Sequence, residues 1–251
     1  PISSLAYRPD MSIFLPEQSL LTLADTCLLS GHRLSEWCGH GPALEEDIAL
    51  TNTALDAIGQ ARGLLQIVAA RRGGGATEDS LAYLRDAADF CNVALASAAN
   101  VDYAHTVLRS MLLAAWQIPI WDAWLTSADR DVAAVAANAA KEARVQWRQA
   151  RDWVVRFGDG TDESRRRLLA AIDAQWPLCP EMLATPMAGA DAAVNQQQWT
   201  DAVAAAFADA TVPMPALLPA ASETVAAAVG NARLARAELL AEMQSLARQH
   251  A

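Results

Sequence analysis

Two tetrapeptides, Ala57-Ile58-Gly59-Gln60 and Ala143-Arg144-Val145-Gln146, each put a glutamine three residues after an alanine. On a helix, that spacing places both side chains of a pair on one face. Bundles that hold two iron ions use Glu-x-x-His at this spacing on two helices and one further acid on each of two others, all pointing inward. Here an alanine methyl stands in place of each carboxylate and a neutral amide in place of each imidazole. Where the remaining two helices would supply acids, the inward positions offer Cys27 and either Ala114 or Ala115. Asp122 shares a stripe with the latter pair but lies near its end, alone. Hard divalent iron needs charged oxygen and imidazole, so the set predicts no metal and no cofactor. The two amides are expected to hydrogen-bond each other or trapped water.

Other residues could do chemistry by their type. Cys27, His32, Cys38 and His40 have the donor types that suit zinc, but their spacing is unlike a Cys-x-x-Cys knuckle, and Cys27 falls on a core stripe. Cys38 and His40 could form a thiolate–imidazole pair, yet two residues apart in a turn their side chains diverge and no third group orients them. The SEWCGH stretch is expected to close a helix corner, with Trp37 as a plug. Glu45, Glu46 and Asp47 could be paired acids. Their place in a first helical turn is sufficient explanation, leaving them solvated or at an interface. Trp116, Trp121, Trp124, Trp147, Trp153, Trp176 and Trp199 read as core fillers opposite alanines, some of them available to anchor a partner. Arg148 and Asp152 have the spacing of a surface ion pair.

The elements that carry these residues follow from apolar spacing. Residues 1 to 16 read as an arm and 17 to 250 as one helical domain. A helix over about 17 to 38 has Leu20, Ala24, Cys27, Gly31 and Leu34 on one face. The next, to about 71, starts with Pro42 in its first turn and has Leu50, Ala54, Ala57, Ala61, Leu64 and Val68 inward. RRGGGATEDS is a loop, with Thr77 capping a short helix over about 78 to 96. A long helix over about 101 to 127 carries Ala104, Leu108, Met111, Ala115, Ile118 and Leu125 in phase, with Pro119 kinking it. Another, over about 129 to 157, carries Val132, Ala136, Ala139, Ala143, Gln146, Ala150, Trp153 and Phe157. Shorter helices follow at about 162 to 175 and 195 to 209, and a last one at about 222 to 249. Four long helices joined by two short turns and one long crossover predict an all-α, ferritin-like four-helix bundle with additional C-terminal helices.

Composition narrows the function. The chain has 251 residues and a net charge of -10, with Lys141 its single lysine, which is the wrong balance for nucleic acid. No run of about 18 apolar residues lacks charge, so no membrane span or leader is expected and the location is expected to be cytoplasmic. The four cysteines have no close-set framework and are expected to be reduced and mostly buried.

The segments RLSEWCGHGPALEEDIALTNTALDAIGQAR, KEARVQW and RFGDGTDES resemble the C-component family of bacterial phenylacetyl-CoA epoxidases, multicomponent monooxygenases that act in aerobic phenylacetate degradation. The likeness is good over about residues 20 to 175 and looser beyond, where ARAELLAEMQSL still resembles the family's last helix. It implies a ferritin-like fold and pairing with a homologous catalytic subunit that keeps the di-iron ligands and binds the acyl-CoA. Electrons would come from a separate reductase. Gln146 stands where the family pattern carries a histidine. The expected role is therefore that of a structural, non-catalytic subunit, with a homodimer possible when the chain is alone. The alternatives are a free-standing helical acyl-CoA-binding protein and a metal-dependent oxygenase with atypical ligands.

Overall fold

A computed structural model describes residues 14–249, and among them helix is the only regular secondary structure. Four long helices form the frame: α1 (Glu17–Ser35), α2 (Leu44–Arg72), α5 (Tyr103–Leu125) and α6 (Arg130–Gly158). The short α3 (Glu78–Tyr83) and α4 (Ala94–Ser97) lie in the crossover between α2 and α5. After the frame come α7 (Asp162–Gln175), α8 (Cys179–Ala184), α9 (Ala192–Asp209), α10 (Glu223–Met243) and α11 (Ser245–Gln249).

Side-chain pairings fix the direction of each helix. Glu17 pairs with Arg72 while Gly31 packs on Ala54 and Ala57, so α1 and α2 are antiparallel. Asp122 pairs with Arg144 and Tyr103 packs on Phe157, so α5 and α6 are antiparallel too. Glu46 accepts from Trp153 while Gly63 faces Val135, which sets α2 against α6. It follows that α2 and α5 run the same way. The chain between them must travel back along the bundle, and this long crossover is the topology of a ferritin-like fold.

The frame helices divide into two kinds. In α1 every residue from Ser19 to Gly31 is buried, and in α5 every residue from Ala104 to Gln117. A helix buried on all sides must be covered on all sides. The crossover and α10 cover α1, while α7 and α9 cover α5. By contrast, α2 and α6 bury one face each, on α2 along the predicted stripe. On α6 the buried face follows the prediction from Val132 to Ala143 and at Ala150, whereas the expected Gln146, Trp153 and Phe157 are half-buried, and Val154 and Gly158 are buried in place of the last two. Gly31 permits the close α1–α2 approach: a Cβ there would lie 2.8 Å from Ile58 Cγ1 and 3.1 Å from the Ala54 carbonyl oxygen.

Several expectations need correction. The helix expected over 78 to 96 survives only as α3, with its Thr77–Ser80 capping box, and as α4. The reason is that α1 side chains take the backbone donors a helix would use: the Cys91 N–H donates to Asp25 and the Val93 N–H to Thr26. The last helix breaks at Gln244, whose buried amide donates to the carbonyls of Ala82 and Arg85. Ala43, not Pro42, caps α2, so the proline precedes the helix. Pro119 lies inside α5 without ending it, and beyond it Ile120, Trp121 and Trp124 are buried while Leu125 is exposed. The Trp124 indole donates to the Ala188 carbonyl, which holds its ring inward in Leu125's stead. Arg151, rather than Arg148, pairs with Asp152, and it also reaches Asp209. Of the arm expected over 1 to 16, residues 1 to 13 lie outside the described part. Among the described residues no helix is long and apolar enough to cross a membrane.

Candidate functional site

At mid-bundle, all four frame helices contribute to one polar chain. Gln117 Nε2 of α5 donates to Cys27 Sγ of α1 at 3.5 Å, and the Cys27 thiol donates to Gln60 Oε1 of α2 at 3.4 Å. Gln60 Nε2 then donates to Glu142 Oε2 of α6 at 2.8 Å, the step that brings in the fourth helix. Cys27 is fully buried, and burial, followed by the charge of Glu142, pushes its thiol pKa far up. The thiol is therefore neutral. Around this chain Ala57, Ala114 and Ala143 are all buried and supply methyl groups alone.

The sequence places Cys27, Ala57, Gln60, Ala114 and Ala143 in the interior, where the structure also has them. Gln146 is the exception. That side chain is half-buried and makes no hydrogen bond with Gln60; Glu142 does so instead. Gln117 and Glu142 were not foreseen, nor was Asp56. Glu142 and Asp56 stand immediately before Ala143 and Ala57, and one residue turns a helical side chain by about 100°. The acids thus leave the interior for an outer groove between α2 and α6. This cavity of about 410 Å³ is lined by Asp56, Gly59, Gln60, Val135, Asn138 and Glu142. Burial and then the Glu142 charge raise the Asp56 pKa. An acid one position ahead of an expected ligand was the signal that could have been read.

Gln146 belongs to another cluster, at the bundle end. It lines a small recess with Glu46, Tyr103 and Trp153. Glu46 Oε2 accepts from Tyr103 Oη at 2.7 Å and from Trp153 Nε1 at 2.8 Å. Burial and the bond to Glu46 push the Tyr103 pKa far up. Trp37 packs edge-on against Tyr103 and donates to Thr106, as a plug at the α1–α2 corner. Two of the three acids of the first turn of α2 therefore have specific partners, while Glu45 is exposed: Glu46 joins α2 to α5 and α6, and Asp47 accepts from the Gly39 and Gly41 amides.

The cysteines and histidines do not assemble. Cys27 is in the core, Cys38 is exposed, and His40 Nδ1 lies 3.1 Å from the Cys38 carbonyl oxygen, not its thiol. All four cysteines are free, Cys27 and Cys179 buried, Cys91 half-buried and Cys38 exposed. Trp121, Trp124 and Trp199 are fully buried and Trp116 and Trp176 nearly so, whereas Trp147 and Trp153 are partly exposed. Asp122 forms a partly exposed ion pair with Arg144 at 2.6 Å.

One fully buried acid went unnoticed in the sequence. Asp25 of α1 pairs with Arg85 and accepts the Cys91 N–H at 2.9 Å. It points away from Cys27, toward the crossover. Burial raises its pKa, against the opposing pull of Arg85 and the Cys91 amide.

A di-iron centre does not fit these residues. The interior presents a neutral thiol, two amides and three methyl groups, and its one carboxylate, Glu142, is bonded to Gln60 at the groove. Among the described residues no three His, Cys, Asp or Glu side chains gather in a way that could hold a metal ion.

Residues 15–251 match the protein family described as "Phenylacetic acid catabolic protein". The C component of the 1,2-phenylacetyl-CoA epoxidase of Escherichia coli (strain K12) is 41% identical over 162 residues. That alignment covers 64% of this chain and 65% of the relative, a little under two thirds of each.

Proposed function

The chain belongs to the phenylacetic acid catabolic protein family, and on that footing we propose that it is the structural, non-catalytic subunit of a phenylacetyl-CoA epoxidase. In this reading it pairs with a homologous subunit that carries the di-iron ligands and binds the acyl-CoA. The observation that carries the reading is the polar chain from Gln117 through Cys27 and Gln60 to Glu142. Where a di-iron bundle places acids and imidazoles, this chain has a thiol and two amides bonded to one another, with a single carboxylate, Glu142, at the groove end. Such an interior stabilises helix packing but cannot neutralise two divalent cations. Its contribution to turnover is then association, which stabilises the partner's folded form by mass action.

The surface supports a partner on the α2 side. Leu44, Ile48 and Leu55 lie along one line of α2 and are 73%, 53% and 62% exposed. Val145 of α6 is also uncovered, at 43%. An uncovered apolar line beside a polar groove has the pattern of an interface, and we assign it to the homologous subunit.

The test is reconstitution. This chain, mixed with a homologous subunit that retains Glu-x-x-His motifs, is expected to elute as a stable complex with acyl-CoA-dependent oxygenation that neither component shows alone. Leu55→Glu is expected to weaken the complex without loss of helix content. Stoichiometric iron and oxygenation in this chain by itself would overturn the proposal and favour an oxygenase with atypical ligands.

A further inference from the structure

A second cavity lies away from the bundle interior, between α10, α8 and the crossover. It measures about 480 Å³ and is lined by Phe90, Cys91, Asn92, Glu181, Arg233 and Arg236 among others. The two arginines are three residues apart on α10, so they project from one helical face. Neither lies within ion-pair distance of a carboxylate among the described residues. This is unexpected in a chain of net charge -10, where acids outnumber arginines. One of the two is held in place: Arg236 Nη1 donates to the Phe90 carbonyl at 2.9 Å and to Asn92 Oδ1 at 3.2 Å. Its Nε is buried without a partner.

Two guanidinium groups facing one cavity, neither in an ion pair and with Glu181 as the single carboxylate in the lining, leave a positive field to be neutralised. Burial and the nearby Arg233 charge push the Arg236 pKa down, against the opposing pull of Asp25 and Glu181. The carboxylate in the cavity, Glu181, accepts the Ala94 N–H at 3.0 Å. Burial raises its pKa against the opposing pull of Arg233 and Arg236, and one carboxylate against two guanidinium groups leaves the lining with a net positive charge. Guanidinium forks match tetrahedral and planar oxyanions through paired N–H donors.

We propose that this cavity is a binding site for a small doubly charged oxyanion, a phosphate or phosphate monoester, gripped by Arg233 and Arg236. Asn92 and the Phe90 carbonyl orient Arg236, and Glu181 tunes the affinity by opposing the incoming charge. The site is independent of the bundle interior and of the subunit reading above.

The experiment titrates inorganic phosphate into the full chain by calorimetry at constant ionic strength, with chloride as the balancing anion. Saturable binding is expected. Arg233→Ala, an exposed substitution that leaves the fold intact, should weaken it by about tenfold or more, the scale of one charge-assisted contact. Glu181→Gln should tighten it. Phosphate should also slow alkylation of Cys91 by iodoacetamide while leaving exposed Cys38 unaffected, as read by mass spectrometry. Absence of saturable binding, equal affinity in Arg233→Ala or in Glu181→Gln, or unchanged Cys91 alkylation would each overturn the assignment.

Discussion

Asp25 and Cys27 are two residues apart on the same helix, both fully buried, and they face opposite ways, by about 200° of helical turn. Asp25 meets the crossover and has a cation, Arg85, and a backbone amide to hold its charge. Cys27 meets the bundle interior and has two neutral amides. The contrast shows where this fold tolerates charge. Burying an ion is tolerable only with a paired ion and further hydrogen bonds, and the crossover supplies them. The interior supplies none, so its groups are neutral and the acids Asp56 and Glu142 are turned out to the groove.

Removing the crossover charge tests this contrast most severely. Asp25→Ala leaves Arg85 buried with no counter-ion and should cost about 3–5 kcal/mol in urea denaturation at neutral pH. A cost below about 1 kcal/mol would mean that the pair contributes little. Replacing both partners, as in Asp25→Ala with Arg85→Met, should cost less than the sum of the single changes.

The same residue predicts a pH dependence. Because burial raises the folded pKa of Asp25 above the ordinary value of 3.8, the native chain holds a proton there where the unfolded chain has released it. Its contribution to stability is then fullest below the unfolded pKa and falls as pH rises through the folded pKa. Asp25→Asn should remove that fall in urea midpoint as pH rises above the unfolded value of 3.8, whereas Cys27→Ala should leave it unchanged.

At the interior the effects are smaller. Gln60→Ala orphans both the Cys27 thiol and Glu142 and should cost about 1–3 kcal/mol. A thermal midpoint equal to that of the native chain would show that water replaces the amide freely. Gln146→Ala, the sequence twin of that change, should fall within about 0.5 kcal/mol of the native chain, since the side chain is half-buried and forms no hydrogen bond in the described structure. The two substitutions side by side separate the interior from the recess at the bundle end.

Much of the frame was legible because its signals are periodic. The stripes on α1 and α2, from Leu20 to Leu34 and from Leu50 to Val68, are buried as spaced, and the Thr77 cap forms as its residue type implies. What failed depended on contacts from distant parts of the chain. The crossover lost its helix because Asp25 and Thr26 take its amides. The last helix broke where Gln244 reaches the carbonyls of Ala82 and Arg85. In the candidate site, residue types revealed the missing acids and imidazoles, but not which neighbour would bond Gln60. Repetition of Ala-x-x-Gln pointed to Gln146. The bond goes to Glu142, while Gln146, about one turn further along α6, lines the recess with Glu46 and Tyr103.

Local spacing and residue type were enough to define the four frame helices and the inward stripes of α1 and α2, since a helical period survives any arrangement of the rest of the chain. Only the assembled fold settled which polar groups meet, where Asp25 finds its cation, and that Arg233 and Arg236 open onto one cavity. Those outcomes depend on side chains far apart in sequence arriving within a few ångströms, and no local pattern encodes that distance.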